Sequence, residues 1–188
     1  VADGVGFGAR NALLGHFLAA GDANRDGKIT HYQLRFLQDA GGFAEVGTIL
    51  AAFFGRPMAS AVYDIPNIEC QATAVVTNTV FTTPYRGAGR PEATAAAERA
   101  LDLWALELGI DPVEARRINL IPKFLEPHTT AVGQTYDVGD YETALDKALA
   151  AAGYTELRAE QARRRASGDP VQLGIGVSTY VEITGGVA

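Results

Sequence analysis

The stretch PEATAAAERALDLWALELG, from Pro91 to Gly109, restricts the fold more than any other part of the chain. Pro in the first turn, a run rich in Ala, Leu and Glu, and a closing Gly make it a strong helix. Leu101, Trp104, Ala105 and Leu108 fall on one side of that helix as an apolar stripe. More helices follow. Asp111 as N-cap, Pro112 at the first helical position and Glu114 at the third predict a capping box on DPVEARRINLI. Asp140 caps YETALDKALAAAG, closing at Gly153, and Thr155 caps ELRAEQARRRASG, closing at Gly168. Arg163, Arg164 and Arg165 lie near Glu156 and Glu160 and read as a solvated helix face. Nearer the start, Leu13, Leu14, Phe17 and Leu18 in RNALLGHFLAA have helical spacing, so a short helix over residues 10–20 is predicted, ended by Gly21.

Elsewhere the period changes to two. In ITHYQLRF the polar His31, Gln33 and Arg35 alternate with Tyr32, Leu34 and Phe36, which predicts a half-buried strand. Residues 67–83, rich in Thr and Val, predict a long strand or a pair of strands with both faces buried. VQLGIGVSTYVEI, from Val171, alternates Val171, Leu173, Ile175 and Val177 with small or polar residues and predicts another strand. Helices and strands in this order predict an α+β fold, a mixed sheet with several helices, in a single domain over residues 1–188.

DANRDGKITHYQL places Asp22, Asn24, Asp26 and Gly27 at the spacing of a calcium-binding EF-hand loop. Two features argue against that use. The twelfth position is Gln33, which lacks the bidentate carboxylate, and a strand pattern follows where a helix is required. Asn24 to Gly27 then reads as the tight turn before the strand. A non-catalytic binding module with a weak single hand from Asp22 to Gln33 is the alternative reading.

Bulk properties exclude several functions. The net charge of -6 argues against a nucleic-acid partner. The longest apolar stretch, around TILAAFF, is far shorter than the ~20 residues a membrane span needs. Cys70 is the one cysteine, so no internal disulfide or Cys-based zinc cluster forms, and a cytoplasmic setting is predicted. The chain opens on Val1 and Met58 is its single methionine, which predicts a piece of something longer.

Covalent or metal chemistry finds little support. His16, His31 and His128 have no partner at metal-ligand spacing, no Gly-x-Ser-x-Gly elbow or phosphate loop exists, and Cys70 sits in a strand pattern. What remains is TTPYRGAGRPE, from Thr82 to Glu92, running from a strand into the best helix with Arg86 and Arg90 in it. Glycines permit close backbone approach, a helix start offers N–H groups, and guanidinium groups add donors, so the segment suits an anion or oxo-group receptor. The same residues also describe a plain strand-to-helix connection with solvent-facing arginines.

TNTVFTTPYRGAGRPEATAAAERALDLWALELGIDPVEARRINLIP, YDVGDYETALDKAL and LGIGVSTYVEITG resemble successive blocks of a known family. It is the molybdenum-binding large subunit of xanthine dehydrogenase, aldehyde oxidase and aerobic carbon monoxide dehydrogenase, and the likeness extends from about Asn24 to the end. DGKITHYQLRFLQDAGGF is similar to that family's turn and strand. The resemblance implies part of a molybdopterin-binding domain, with Arg86, Gly87, Ala88, Gly89 and Arg90 lining the cofactor and substrate pocket and Arg86 touching substrate. It further implies oxidative hydroxylation of an aldehyde or N-heterocycle carbon with water. Molybdenum-molybdopterin, in the cytosine dinucleotide form, would pass electrons to an iron-sulfur subunit and an FAD subunit of a hetero-oligomer.

Three departures qualify the carry-over. Copper-containing carbon monoxide dehydrogenases have Cys-Ser-Phe where this chain has Gly87, Ala88 and Gly89, so carbon monoxide oxidation is not expected. The family's glycine-phenylalanine cofactor segment is echoed in part by GVGFG, which makes Phe7 and Gly8 uncertain contacts. The catalytic glutamate is expected beyond Ala188, and a degenerate paralogue that has lost its chemistry reads the same way.

Overall fold

The structure, a computed structural model, describes residues 5–7, 17–24, 26–43 and 45–183. A four-stranded sheet has the order β1 (Val5–Phe7), β2 (Phe17–Ala23), β3 (Ile29–Gly41), β4 (Ile68–Val76). The first three strands run antiparallel to their neighbours, whereas β3 and β4 are parallel. A parallel pair needs a crossover, and helix α1 (Val46–Gly55) with the short 3₁₀ turn Arg56–Met58 supplies it. Five helices complete the described residues: α1, α2 (Arg90–Leu108), α3 (Pro112–Asn119), α4 (Tyr141–Ala152) and α5 (Tyr154–Ser167). A two-residue hairpin, β5 (His128–Thr129) and β6 (Thr135–Tyr136), precedes α4. The α+β class with a mixed sheet is as the sequence indicates.

Strand β3 carries the core. Tyr32, Leu34 and Phe36 point inward, as their alternation predicts, against buried Ala59, Val62 and Tyr63 and against Ala93, Ala97, Leu101 and Trp104 of α2. Each large side chain so buried contributes about 1.5–3 kcal/mol. The helix stripe read from the sequence is therefore the α2 core face, with Leu108 partly buried at its end.

Behind that face lies a buried ion network. Arg116 of α3 has no solvent-exposed side-chain surface; its Nε donates to Glu98 Oε2 at 2.9 Å and its Nη2 to Asp102 Oδ1 at 2.9 Å. The Tyr63 hydroxyl donates to Glu98 Oε1, and the Thr179 amide donates to Glu98 Oε2 at 3.2 Å. Burial, with the Glu98 carboxylate second, holds the Tyr63 hydroxyl well above the usual phenol range. A further Arg116 donation, to the Val177 carbonyl at 2.7 Å, ties the segment after α5 to α2 and α3.

Helix ends follow the sequence closely. Asp111 Oδ1 accepts from the Val113 amide at 2.8 Å and Asp140 Oδ1 from the Thr143 amide at 3.1 Å. Gly109, Gly153 and Gly168 take positive φ at the C-caps of α2, α4 and α5. Thr155, however, is not a cap. Gly153 ends α4 and also stands as the N-cap of α5, so the second helix starts immediately and leaves no turn for Thr155 to occupy. Arg163 and Arg164 pair with Glu160 on an open face, as expected.

Four strand and helix expectations need correction. Residues 17–20 are strand and Gly21 lies inside β2; residues 10–16 lie outside the described ones. A Cβ at Gly21 would lie 2.9 Å from the His31 carbonyl oxygen, so this glycine permits close strand pairing where a helix terminator was read. Strand β4 is an edge strand with one face mostly open, because only the side bearing Ile68, Cys70 and Ala72 meets the core. Only residues 68–76 of the predicted 67–83 form it. Residues 171–183 have no ladder partner among the described residues, although their burial alternates as predicted. Alternation records one covered face; a strand also needs a neighbour, and here side chains of Gln161 and Arg116 take up the Leu173 and Val177 carbonyls.

The calcium-like loop is a β-hairpin. Asp22 lies in β2 and Gln33 in β3, and Asn24 Oδ1 accepts from the Lys28 amide at 2.7 Å to close the turn, with Gly27 at φ +90. Strands flank it on both sides, where an EF-hand needs helices. No helix among the described residues is long and apolar enough to cross a membrane.

Candidate functional site

Residues 77–85 form a strap across the end of β3, and Asp39 holds it there. Its Oδ1 accepts from the Thr77 hydroxyl at 2.6 Å and from the Gly41 amide at 2.8 Å. Its Oδ2 accepts from the Thr79 hydroxyl at 3.1 Å, and its carbonyl from the Thr82 hydroxyl at 2.9 Å. Gly41, at φ +73, leaves the strap room to pass, since a Cβ would lie 2.4 Å from Phe81 Cα. Residues 82–85 of the strap, residues 36–39 of β3, Ala51 and Ala52 of α1 and Glu92 of α2 line a cavity of about 380 Å³. Glu92 Oε2 is shielded from solvent and has no hydrogen-bond partner among the described residues.

The strap ends in a turn of unusual conformation. Gly87, Ala88 and Gly89 have φ of +99, +48 and +97 in succession. For Ala88 that left-handed geometry costs about 1–2 kcal/mol. The Ala88 amide donates to the Tyr85 carbonyl at 2.8 Å and the Arg90 amide to the Gly87 carbonyl at 3.1 Å. These two N–H groups are therefore spent inside the turn and are not offered to a ligand, contrary to a receptor built on the amides of the helix start.

The two arginines of the turn separate. Arg86 is exposed, and among the described residues it has no hydrogen bond or ion pair. It sits next to cavity-lining Tyr85 without lining the cavity itself. Arg90 turns inward: its Nη1 is 3.1 Å from Glu182 Oε1, and its guanidinium carbon is 4.9 Å from the centre of the Phe54 ring on α1. Gly87 and Gly89 shape the turn and Arg90 anchors it, which leaves Arg86 as the exposed arginine of the turn, with no ion pair among the described residues. Sequence reasoning did not find Asp39, Glu92, Phe54 or Glu182. Their residue types are ordinary for helix faces and strand ends, and their roles arise from contacts between distant segments.

Other candidates are accounted for. Burial pushes the Cys70 thiol up to about 11, with Arg56 opposing, so the one cysteine is a packed side chain on β4. His128 lies against the Phe124 ring at 5.2 Å. No group of three or more His, Cys, Asp or Glu among the described residues is placed to hold a metal ion.

Residues 8–120 match the family model described as the molybdopterin cofactor-binding domain. The chain belongs to this family. It is 40% identical over 169 residues to the carbon monoxide dehydrogenase large chain of Hydrogenophaga pseudoflava, covering 87% of itself and 21% of that protein. It is 33% identical over 134 residues to the aldehyde oxidoreductase of Megalodesulfovibrio gigas, covering 67% of itself and 15% of that protein. Among solved structures, reconstituted CO dehydrogenase from Oligotropha carboxidovorans superposes with a TM-score of 0.71 at 31% identity, over 81% of this chain and 20% of that one. These relationships place the chain in the family of molybdenum-binding large subunits that includes carbon monoxide dehydrogenase, aldehyde oxidoreductase and xanthine dehydrogenase. It spans about a fifth of the length of the carbon monoxide dehydrogenase large chains it matches.

The residues present fit an anionic, phosphate-bearing cofactor at one point, the unpaired Arg86 guanidinium on its fixed turn. Phe7 ends β1, and Gly8 lies outside the described residues.

Proposed function

We propose that this chain is a single-domain fragment of a molybdenum hydroxylase large subunit, and that its turn at residues 86–90 borders the cofactor and substrate pocket. The supporting observation is Arg86, an exposed cation with no partner among the described residues, on a turn that Gly89 and Arg90 fix against α1 and next in the chain to Tyr85, which lines a cavity of about 380 Å³. When bound, the molybdenum cofactor supplies two-electron redox chemistry for hydroxylating an aldehyde or N-heterocycle carbon with oxygen from water. Arg86 then stabilises negative charge that develops on the substrate, and Gly87, Ala88 and Gly89 hold the turn that carries it. Gly87 carries no thiolate and Cys70 belongs to β4, so we do not assign oxidation of carbon monoxide.

The membership supports the molybdopterin itself. The cytosine dinucleotide form, iron-sulfur and FAD partner subunits in a hetero-oligomer and a cytoplasmic location extend the proposal by family likeness. Turnover belongs to the complete subunit, since no residue here matches the family's catalytic glutamate.

Chemical modification tests the placement. In the complete subunit, phenylglyoxal should modify Arg86 readily when the cofactor is absent and poorly when it is loaded, with mass spectrometry reading the peptide. Equal modification in both states would remove Arg86 from the pocket.

A further inference from the structure

We infer that Glu182 is a positioning residue for the turn that presents Arg86; this rests on the reading of that turn as the border of the pocket. Glu182 arrives from the segment after α5, which has no ladder partner among the described residues, and its ion pair with Arg90 brings it to the turn. Its Oε1 lies 3.1 Å from Arg90 Nη1, and its Oε2 lies 3.7 Å from where a Cβ at Gly87 would stand. The carboxylate therefore lies against the turn as well as against its arginine.

The turn needs such support. Three consecutive positive φ values, one of them at Ala88, form a conformation that persists only where its surroundings over-determine it. Helix α1 provides two of the anchors: Gly89 packs where a Cβ would lie 1.8 Å from the Ala51 carbonyl oxygen, and Arg90 lies over the Phe54 ring. Glu182 provides the third. An ion pair open to water contributes little, but the Arg90 side chain is only 18% exposed and its Nε is buried with no hydrogen-bond partner among the described residues, so losing this carboxylate would leave a largely enclosed cation without its counter-charge.

The segment carrying Glu182 is itself held. The Thr179 amide donates to Glu98 and the Val177 carbonyl accepts from Arg116, so the buried ion network behind α2 sets where Glu182 stands. The geometry of the Arg86 turn is thereby linked to the packing of α2 on α3.

Trypsin reads this directly, because it cuts after Arg86 and is blocked after Arg90 by Pro91. In the complete, cofactor-free subunit, Glu182→Ala should speed cleavage of the Arg86–Gly87 bond about fivefold, the population ratio matching an ion pair at the strong end of the exposed range. Glu182→Gln, the milder change, should move it in the same direction. Glu182→Ala should add nothing further in an Arg90→Ala background, since both changes remove one contact. Unchanged cleavage in both single variants, or additive acceleration in the double variant, overturns the inference. This readout is independent of turnover. Failure of Arg86 to show cofactor protection, with cleavage still responding to Glu182, would refute the pocket reading and leave the positioning role standing.

Discussion

Gly89 is the position the turn can least afford to change. A Cβ there would stand 1.8 Å from the Ala51 carbonyl oxygen, and φ +97 excludes ordinary side chains on its own account. Gly89→Ala should therefore cost at least about 1–3 kcal/mol from backbone strain alone, with α1 also forced away from the turn. Thermal denaturation of the complete subunit should show the loss, and an unchanged melting temperature would mean the turn is not packed on α1. At this scale the sequence was informative about residue type and silent about direction. It singled out Arg86 and Arg90 together, because both follow glycine-permissive backbone in one short segment. Nothing in RGAGR says that one guanidinium would be taken by Phe54 and Glu182 while the other stayed free.

Helix boundaries were legible because their signals are local. Asp111 and Asp140 accept amide hydrogen bonds at the predicted ends, and glycines close α2, α4 and α5. Asp140 also gives a pH prediction. Its carboxyl is lowered from 3.8 to about 2, first by Lys123 and then by the Thr143 hydrogen bonds. A carboxylate stabilised in the folded state adds stability above its unfolded pKa and loses it as pH falls through the folded one. The Thr143 amide resonance should accordingly titrate with a midpoint near 2, and Asp140→Asn, which keeps an N-cap, should abolish that titration. A midpoint near 3.8 would show that the cap and Lys123 leave the carboxyl untouched. Strands were harder to read, since pairing is non-local. The apolar spacing over residues 10–20 suits a helix, yet β3 recruits residues 17–23 as β2. The alternation after Val171 is real in burial, but no strand lies beside it among the described residues.

Across the whole molecule, the mixed sheet, the α2 core face and the family all followed from patterns and blocks visible in the sequence. The cavity did not, because it forms where β3, α1, the strap and α2 converge, and no one of those segments marks it. The same holds for Arg116, whose place in a run of polar residues on α3 suggests solvent while the structure encloses it with Glu98, Asp102 and Tyr63. Such a network, once a partner is removed, costs about 3–5 kcal/mol, which makes it a rigid backing for the site. Under the proposed function, Arg86, exposed beside the cavity-lining Tyr85, acts on charge that develops during turnover. Arg86→Ala in the complete, molybdenum-loaded subunit should lower kcat by about 10²–10³ with molybdenum content unchanged, the loss typical of removing one preorganised charge-stabilising group. An unaltered kcat at full molybdenum loading would contradict it.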